Sequence, residues 1–199
     1  MNKSLLKLKI LVFVLLSSWA LMGACDDMHG EARSEGWHQE VKTGPLQKEI
    51  DKLLPHSTLK LEKGVHHGPI HIKVPGVTIV GAPGAVITGD EVGSVIVIEA
   101  DNVTIKDLTI RGSGLSYTQA DSGIGLRSVN NTKIVGNTIE DCLFGIDVFS
   151  GDQNLIEGNF ISSKNLEIGL RGDAIRLWSV TNSKVLNNKW SFARDVVSW

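Results

Sequence analysis

Gly123-Ile-Gly-Leu-Arg-Ser128 is followed 22 residues later by Gly145-Ile-Asp-Val-Phe-Ser150, and Ala174-Ile-Arg-Leu-Trp-Ser179 begins 29 residues after that. The same two offsets carry Ile134 to Ile156 to Val185, Asn137 to Asn159 to Asn188, and Ile139 to Ile161 to Trp190. Four columns that keep step define a repeat. A unit of about 22 residues cannot bury its own apolar side, so such units stack into a solenoid. Ile and Val dominate the columns, and the closely spaced leucines of a leucine-rich repeat are absent. The expected fold is therefore all-β, a single-stranded right-handed parallel β-helix.

Within each copy the first strand alternates. Ile124, Leu126, Ile146, Val148, Ile175 and Leu177 fall on one face and are the expected core. Gly125, Arg127, Asp147, Phe149, Arg176 and Trp178 fall on the other and point outward. The recurring asparagines are expected at one corner, stacked as an amide ladder at the strand spacing of about 4.8 Å.

Working upstream, Asn102-Val-Thr-Ile105 matches Asn131-Thr-Lys-Ile134 at an offset of 29. Strands are expected at Thr58–Leu61, Ile70–Val74, Val77–Val80, Ala85–Ile87, Val95–Glu99, Val103–Ile105 and Leu108–Ile110, each bounded by turn residues. Roughly six to seven rungs result at this repeat length. Pro45–Leu54 reads as an amphipathic helix with Leu46, Ile50, Leu53 and Leu54 on one stripe, placed to cap the first rung. Extra residues at Gly112–Ala120 and Asn165–Arg171 each precede the first strand of a rung, so both should overhang one face. Arg194-Asp-Val-Val-Ser-Trp199 opens another rung without a cap, and the chain is expected to be part of a longer β-helix.

The folded part is expected at 45–199. Residues 1–25 resemble an export signal: Lys3, Lys7 and Lys9 precede the apolar run Ile10–Leu16, which is too short to span a bilayer. Leu21-Met-Gly-Ala-Cys25 resembles a lipobox, which would leave a lipidated Cys25 as a membrane anchor. Cleavage after Ala24 with plain secretion is the equal alternative. Either way the expected location is the periplasm or cell envelope, or the medium. Residues 26–44 are polar and aperiodic and read as a tether. Cys142 is expected to pack as a small hydrophobe.

The composition is that of one globular domain, with 42% apolar residues in 199. A formal net charge of −2 offers no electrostatic footprint for nucleic acid. Candidate function falls on the outward file Arg127, Phe149 and Trp178, with Asp147 and Arg176 beside it and Tyr117 and Asp121 on the preceding insertion. Exposed aromatics in file stack on sugar rings or anchor a protein partner; alternatively the insertions fold over them. Arg171, Asp173, Arg194 and Asp195 head adjacent rungs, either as a charged groove or as a structural ladder of ion pairs. His66, His67 and His71 are the weakest candidates, for a metal. Gly68-Pro69 breaks any helical register between them and no Cys or acid lies at a fixed spacing, so a surface loop is expected there. No phosphate loop, nucleophile elbow or zinc-protease motif occurs.

The ordered series from Leu46 through Leu61, Gly64-Val-His-His-Gly-Pro-Ile70, Gly84-Ala-Val-Ile-Thr-Gly89, Val103-Thr-Ile-Lys-Asp-Leu-Thr-Ile-Arg-Gly-Ser-Gly114, Asp121-Ser-Gly-Ile124, Leu143-Phe-Gly-Ile146, Arg171-Gly-Asp-Ala-Ile-Arg-Leu-Trp178 and Arg194-Asp-Val-Val-Ser-Trp199 resembles the NosD family. That resemblance implies a periplasmic β-helix of the carbohydrate-binding and sugar-hydrolase repeat class, acting in maturation of the copper centre of nitrous oxide reductase. It implies a membrane ABC transporter and a metalloenzyme client as partners, with no cofactor and no catalytic residues of its own. The competing class on this scaffold is a polysaccharide lyase, hydrolase or epimerase, or a wall polysaccharide-binding module. Outward acids are sparse, Asp147 and Asp173 being the candidates near the aromatic file, and Arg176 is the expected partner of Asp147.

Overall fold

The computed structural model describes residues 43–198. The expected export signal, Cys25 and the expected tether up to residue 42 lie outside them. Strands β1 (Thr58–Leu61), β4 (Thr78–Gly81), β7 (Thr104–Lys106), β10 (Lys133–Val135), β13 (Leu155–Glu157) and β16 (Lys184–Leu186) form the first sheet. The second holds β2 (Gly64–His67), β5 (Ala85–Thr88), β8 (Thr109–Arg111), β11 (Thr138–Cys142), β14 (Phe160–Ser163) and β17 (Lys189–Ser191). The third holds β3 (Ile70–Ile72), β6 (Ile96–Ile98), β9 (Ser122–Arg127), β12 (Phe144–Asp152), β15 (Ile175–Thr181) and β18 (Val197–Ser198). Each sheet takes every third strand and all the pairs are parallel, so the chain winds as a β-helix of six rungs among the described residues.

The register follows the repeat. Ile124 pairs with Ile146 and Ile146 with Ile175; Ile134 pairs with Ile156 and Ile156 with Val185; Ile139 pairs with Ile161 and Ile161 with Trp190. A strand buried on one face cannot slip by one residue without turning its whole aliphatic set to water, which is why the columns hold this pairing. The isoleucines of all three sheets meet inside the coil and form one continuous core. Gly145 is required where the second sheet turns into the third: a Cβ there would stand 2.3 Å from Ala174 O and 2.4 Å from Ile161 Cγ2.

The expected amide ladder forms at the corner between the first two sheets. Asn159 Oδ1 accepts from Asn137 N (2.9 Å) and Asn137 Nδ2 (3.1 Å), and Asn188 Oδ1 accepts from Asn159 N and Nδ2 (both 2.9 Å). Each Nδ2 also donates to a carbonyl, of Ile105, Ile134 and Ile156 in turn.

Two expectations are corrected. The capping helix α1 covers Gln47–Ile50 alone, because Lys52 N and Leu53 N bond three residues back, to Glu49 O and Ile50 O, and tighten the chain ahead of Pro55. Leu46 and Ile50 plug the core as expected, whereas Leu54 is 72% exposed. Gln47 closes the sheet edge by donating to His71 O (2.9 Å) and accepting from His71 N (2.7 Å). The histidine segment is not a surface loop: His66 and His67 lie on β2 and His71 on β3, in two different sheets.

Candidate functional site

The corner between the second and third sheets is where rungs differ. Its links run 68–69, 89–95, 112–121, Leu143 alone, 164–174 and 192–196 in successive rungs. The two insertions expected from the repeat thus flank the one rung with the shortest corner, and 89–95 adds a third. Asp121 is turned inward: its Oδ2 accepts from Ser116 N (2.9 Å), and a Cβ on Gly114 would stand 2.1 Å from the same oxygen. Burial raises its pKa against the pull of the backbone donors of Ser116 and Gly93. Lys164 Nζ reaches Glu91 Oε2 (2.8 Å) and Asp141 Oδ1 (3.2 Å), tying the corners of three rungs together. Nothing in the spacing of these three residues signals that contact.

On the third sheet Arg127, Phe149 and Trp178 stand in register on successive rungs, as do Gly125, Asp147 and Arg176 beside them. Asp147 is 1% exposed and sits between two guanidiniums: Arg176 Nε lies 2.6 Å from Oδ1 and Arg127 Nη1 lies 2.8 Å from Oδ2. The Arg127 N–H groups aim at the carbonyls of Leu126 (3.0 Å) and Asp147 (3.1 Å), so its approach to Oδ2 is ionic rather than a well-aligned hydrogen bond. Burial lowers the Arg127 pKa against the attraction of Asp147. Arg176 Cζ rests 4.4 Å over the buried ring of Phe144, and Tyr117 meets that ring edge to face at 5.5 Å and 81°. Burial also raises the Tyr117 hydroxyl, with Arg194 opposing. Phe149 is half-buried, while Trp178 remains 49% exposed.

The charges continue toward the first rung. Glu99 acts on Arg127, and His71 Nε2 stands 2.9 Å from Glu99 Oε2 with its ring N–H poorly aligned. His71, Glu99, Arg127, Asp147 and Arg176 therefore alternate in sign across five rungs when the histidine is protonated. In the neutral state the row balances without it.

Of the four residues heading the later rungs, Asp173, Arg194 and Asp195 form ion pairs. Asp173, which is buried, accepts from Arg194 Nη2 (2.9 Å) and Ser198 Oγ (2.7 Å), and Arg194 Nε also reaches Asp195 Oδ2 (3.2 Å). Arg171 donates to Leu166 O (2.6 Å) and covers Phe192 at 5.5 Å. Asp147 and Asp173 are each engaged by arginine.

His66 Nε2 contacts Glu62 O (2.9 Å), and among the described residues no group of three His, Cys, Asp or Glu is placed to hold a metal. Cys142 is buried, and its thiol is pushed up to about 12 by that burial, which makes it inert.

A coil of three parallel sheets carrying an aliphatic core and an amide ladder is shared with a known class. Residues 78–194 match the family described as "Right handed beta helix region", and the chain belongs to that family. Within it the chain is NosD-like: it is 28% identical over 159 residues to "Probable ABC transporter binding protein NosD" from Stutzerimonas stutzeri. The alignment takes in 79% of this chain and 35% of the relative, so the chain spans about a third of that protein's length. No solved structure matches the chain.

Proposed function

We propose that this chain is an exported, non-enzymatic accessory protein that offers the third-sheet face to a partner during assembly of the copper centre of nitrous oxide reductase, beside a membrane ABC transporter. The likeness to NosD across most of the folded part carries this reading. The pairing of Asp147 and Asp173 with arginines supports recognition rather than proton transfer as the work of the face. Deleting the gene in a denitrifying host tests it: nitrous oxide reductase should accumulate short of copper, and a fully loaded enzyme would refute the role. Fractionating cells that carry Cys25→Ser tests export: a lipid-anchored protein would move from the membrane to the soluble envelope fraction, and a plainly secreted one would not.

Polysaccharide binding is the second reading, favoured by Trp178 standing half exposed in register with Phe149. Stabilisation by an acidic or neutral oligosaccharide that is lost in Trp178→Ala would support it. Turnover of polyuronide abolished by Asp173→Asn would instead revive the enzyme class.

A further inference from the structure

We propose that Arg176 anchors a docking site for a protein segment that presents a carboxylate among apolar side chains. The inference rests on the reading of this chain as a partner-binding protein and names the chemistry of that partner.

Arg176 is held on two sides and open on a third. Its Nε is bound to Asp147 at 2.6 Å and its plane lies on Phe144 at 4.4 Å, yet among the described residues its two Nη groups have no hydrogen-bond partner. A guanidinium is a rigid fork of donors suited to a carboxylate, and here only the Nε edge is engaged. Asp147 is shared between Arg176 and Arg127, and on Arg176 it occupies the Nε edge alone. The side chain is 20% exposed, which keeps the free edge accessible while the stem is fixed. An anchor already held in place loses little freedom when a partner binds.

The surroundings select the kind of partner. The insertions at 112–121 and 164–174 carry Leu115, Tyr117, Ile168 and Leu170 exposed, and Tyr117 packs on the Phe144 ring that underlies Arg176. Aliphatic tips give little to a hydroxyl-rich glycan, whereas an arginine fixed on an aromatic ring, on a face whose insertions expose aliphatic and tyrosine side chains, has the composition of a protein–protein hot spot. Composition and charge thus point the same way, to an acidic side chain carried on an apolar stretch.

The test uses the full chain and fluorescently labelled decapeptides with a single glutamate between leucines, beside the same peptides with glutamine. The wild type should bind the glutamate peptides about tenfold or more tightly, the value of one charge-assisted hydrogen bond. Arg176→Gln should erase that preference, Arg176→Lys should keep part of it, and Ile168→Ser should weaken both peptides alike. Arg176→Gln leaves Asp147 paired with Arg127 at 2.8 Å, and Ile168 is a surface residue, so both variants keep the fold. Equal affinity for the two peptides, or a preference that survives Arg176→Gln, would overturn the site. So would Arg176-dependent binding of trigalacturonate without peptide binding, which would make this a glycan site. The copper-assembly role fails separately: if deletion leaves nitrous oxide reductase loaded but the glutamate preference holds, the site stands with another client.

Discussion

Two stacks of polar side chains run along this coil at the same rung spacing, and they are finished differently. In the ladder of Asn137, Asn159 and Asn188, each amide accepts from or donates to the next along the axis and every Nδ2 also reaches a carbonyl. The stack of Arg127, Asp147 and Arg176 leaves the Nη edge of Arg176 without a hydrogen-bond partner among the described residues. An amide is both donor and acceptor, so identical residues satisfy one another indefinitely; ions need opposite neighbours and leave surplus donors at the end. The closed stack serves the fold, and the open one has capacity for a ligand.

The sharpest way to break that contrast is Asp147→Ala, which removes the carboxylate that holds two arginines close together. A loss of about 3–5 kcal/mol in urea unfolding is expected, the usual cost of removing one partner of a buried ion pair. A loss under about 1 kcal/mol would mean that solvent screens the stack. Asn159→Ala should cost about 2–3 kcal/mol, since it strands Asn137 N and Ile134 O. An unchanged midpoint would remove the ladder from the account of stability.

The far end of the ionic stack responds to pH. Burial lowers the His71 pKa, Glu99 opposes that and Lys73 adds to it, with the net value below the ordinary 6.5. The unfolded chain therefore takes up the proton first as pH falls, so stability is constant above 6.5, declines as pH drops below it, and levels off under the folded value. His71→Gln should flatten unfolding free energy measured against pH from mild acid to neutral, and Glu99→Gln should steepen the decline. A slope unaffected by either change would assign it elsewhere. The smallest effect is expected for Arg176→Gln, about 1–2 kcal/mol in the same urea assay, because Asp147 keeps its ionic contact with Arg127 while the Nε hydrogen bond and the contact with Phe144 are lost. A larger loss would class Arg176 with the fold rather than with a site.

Much of this was legible in the order of residues. Offsets of 22 and 29 name the strand partners directly, and the alternation at Ile146, Asp147 and Val148 assigns the two faces. The insertions were visible as breaks in the period. Gly64–His67 escaped notice as a strand because two histidines there supply no alternation of apolar and polar residues. The apolar stripe continues to Leu54 after the backbone has tightened into a turn, so the pattern overstates the length of the helix.

Repetition alone determined the coil, its register, its core and its amide ladder, because stacking puts equivalent residues of adjacent rungs one above another whatever the rest of the molecule does. Only the folded chain decided which long side chains meet: that Arg127 joins Arg176 on Asp147, that Arg176 lies on Phe144 under Tyr117, and that Lys164 reaches Glu91 from 73 residues away. Those contacts depend on how corners of unequal length fold over the sheet and on flexible stems that have several positions to choose from, and no period in the sequence encodes either.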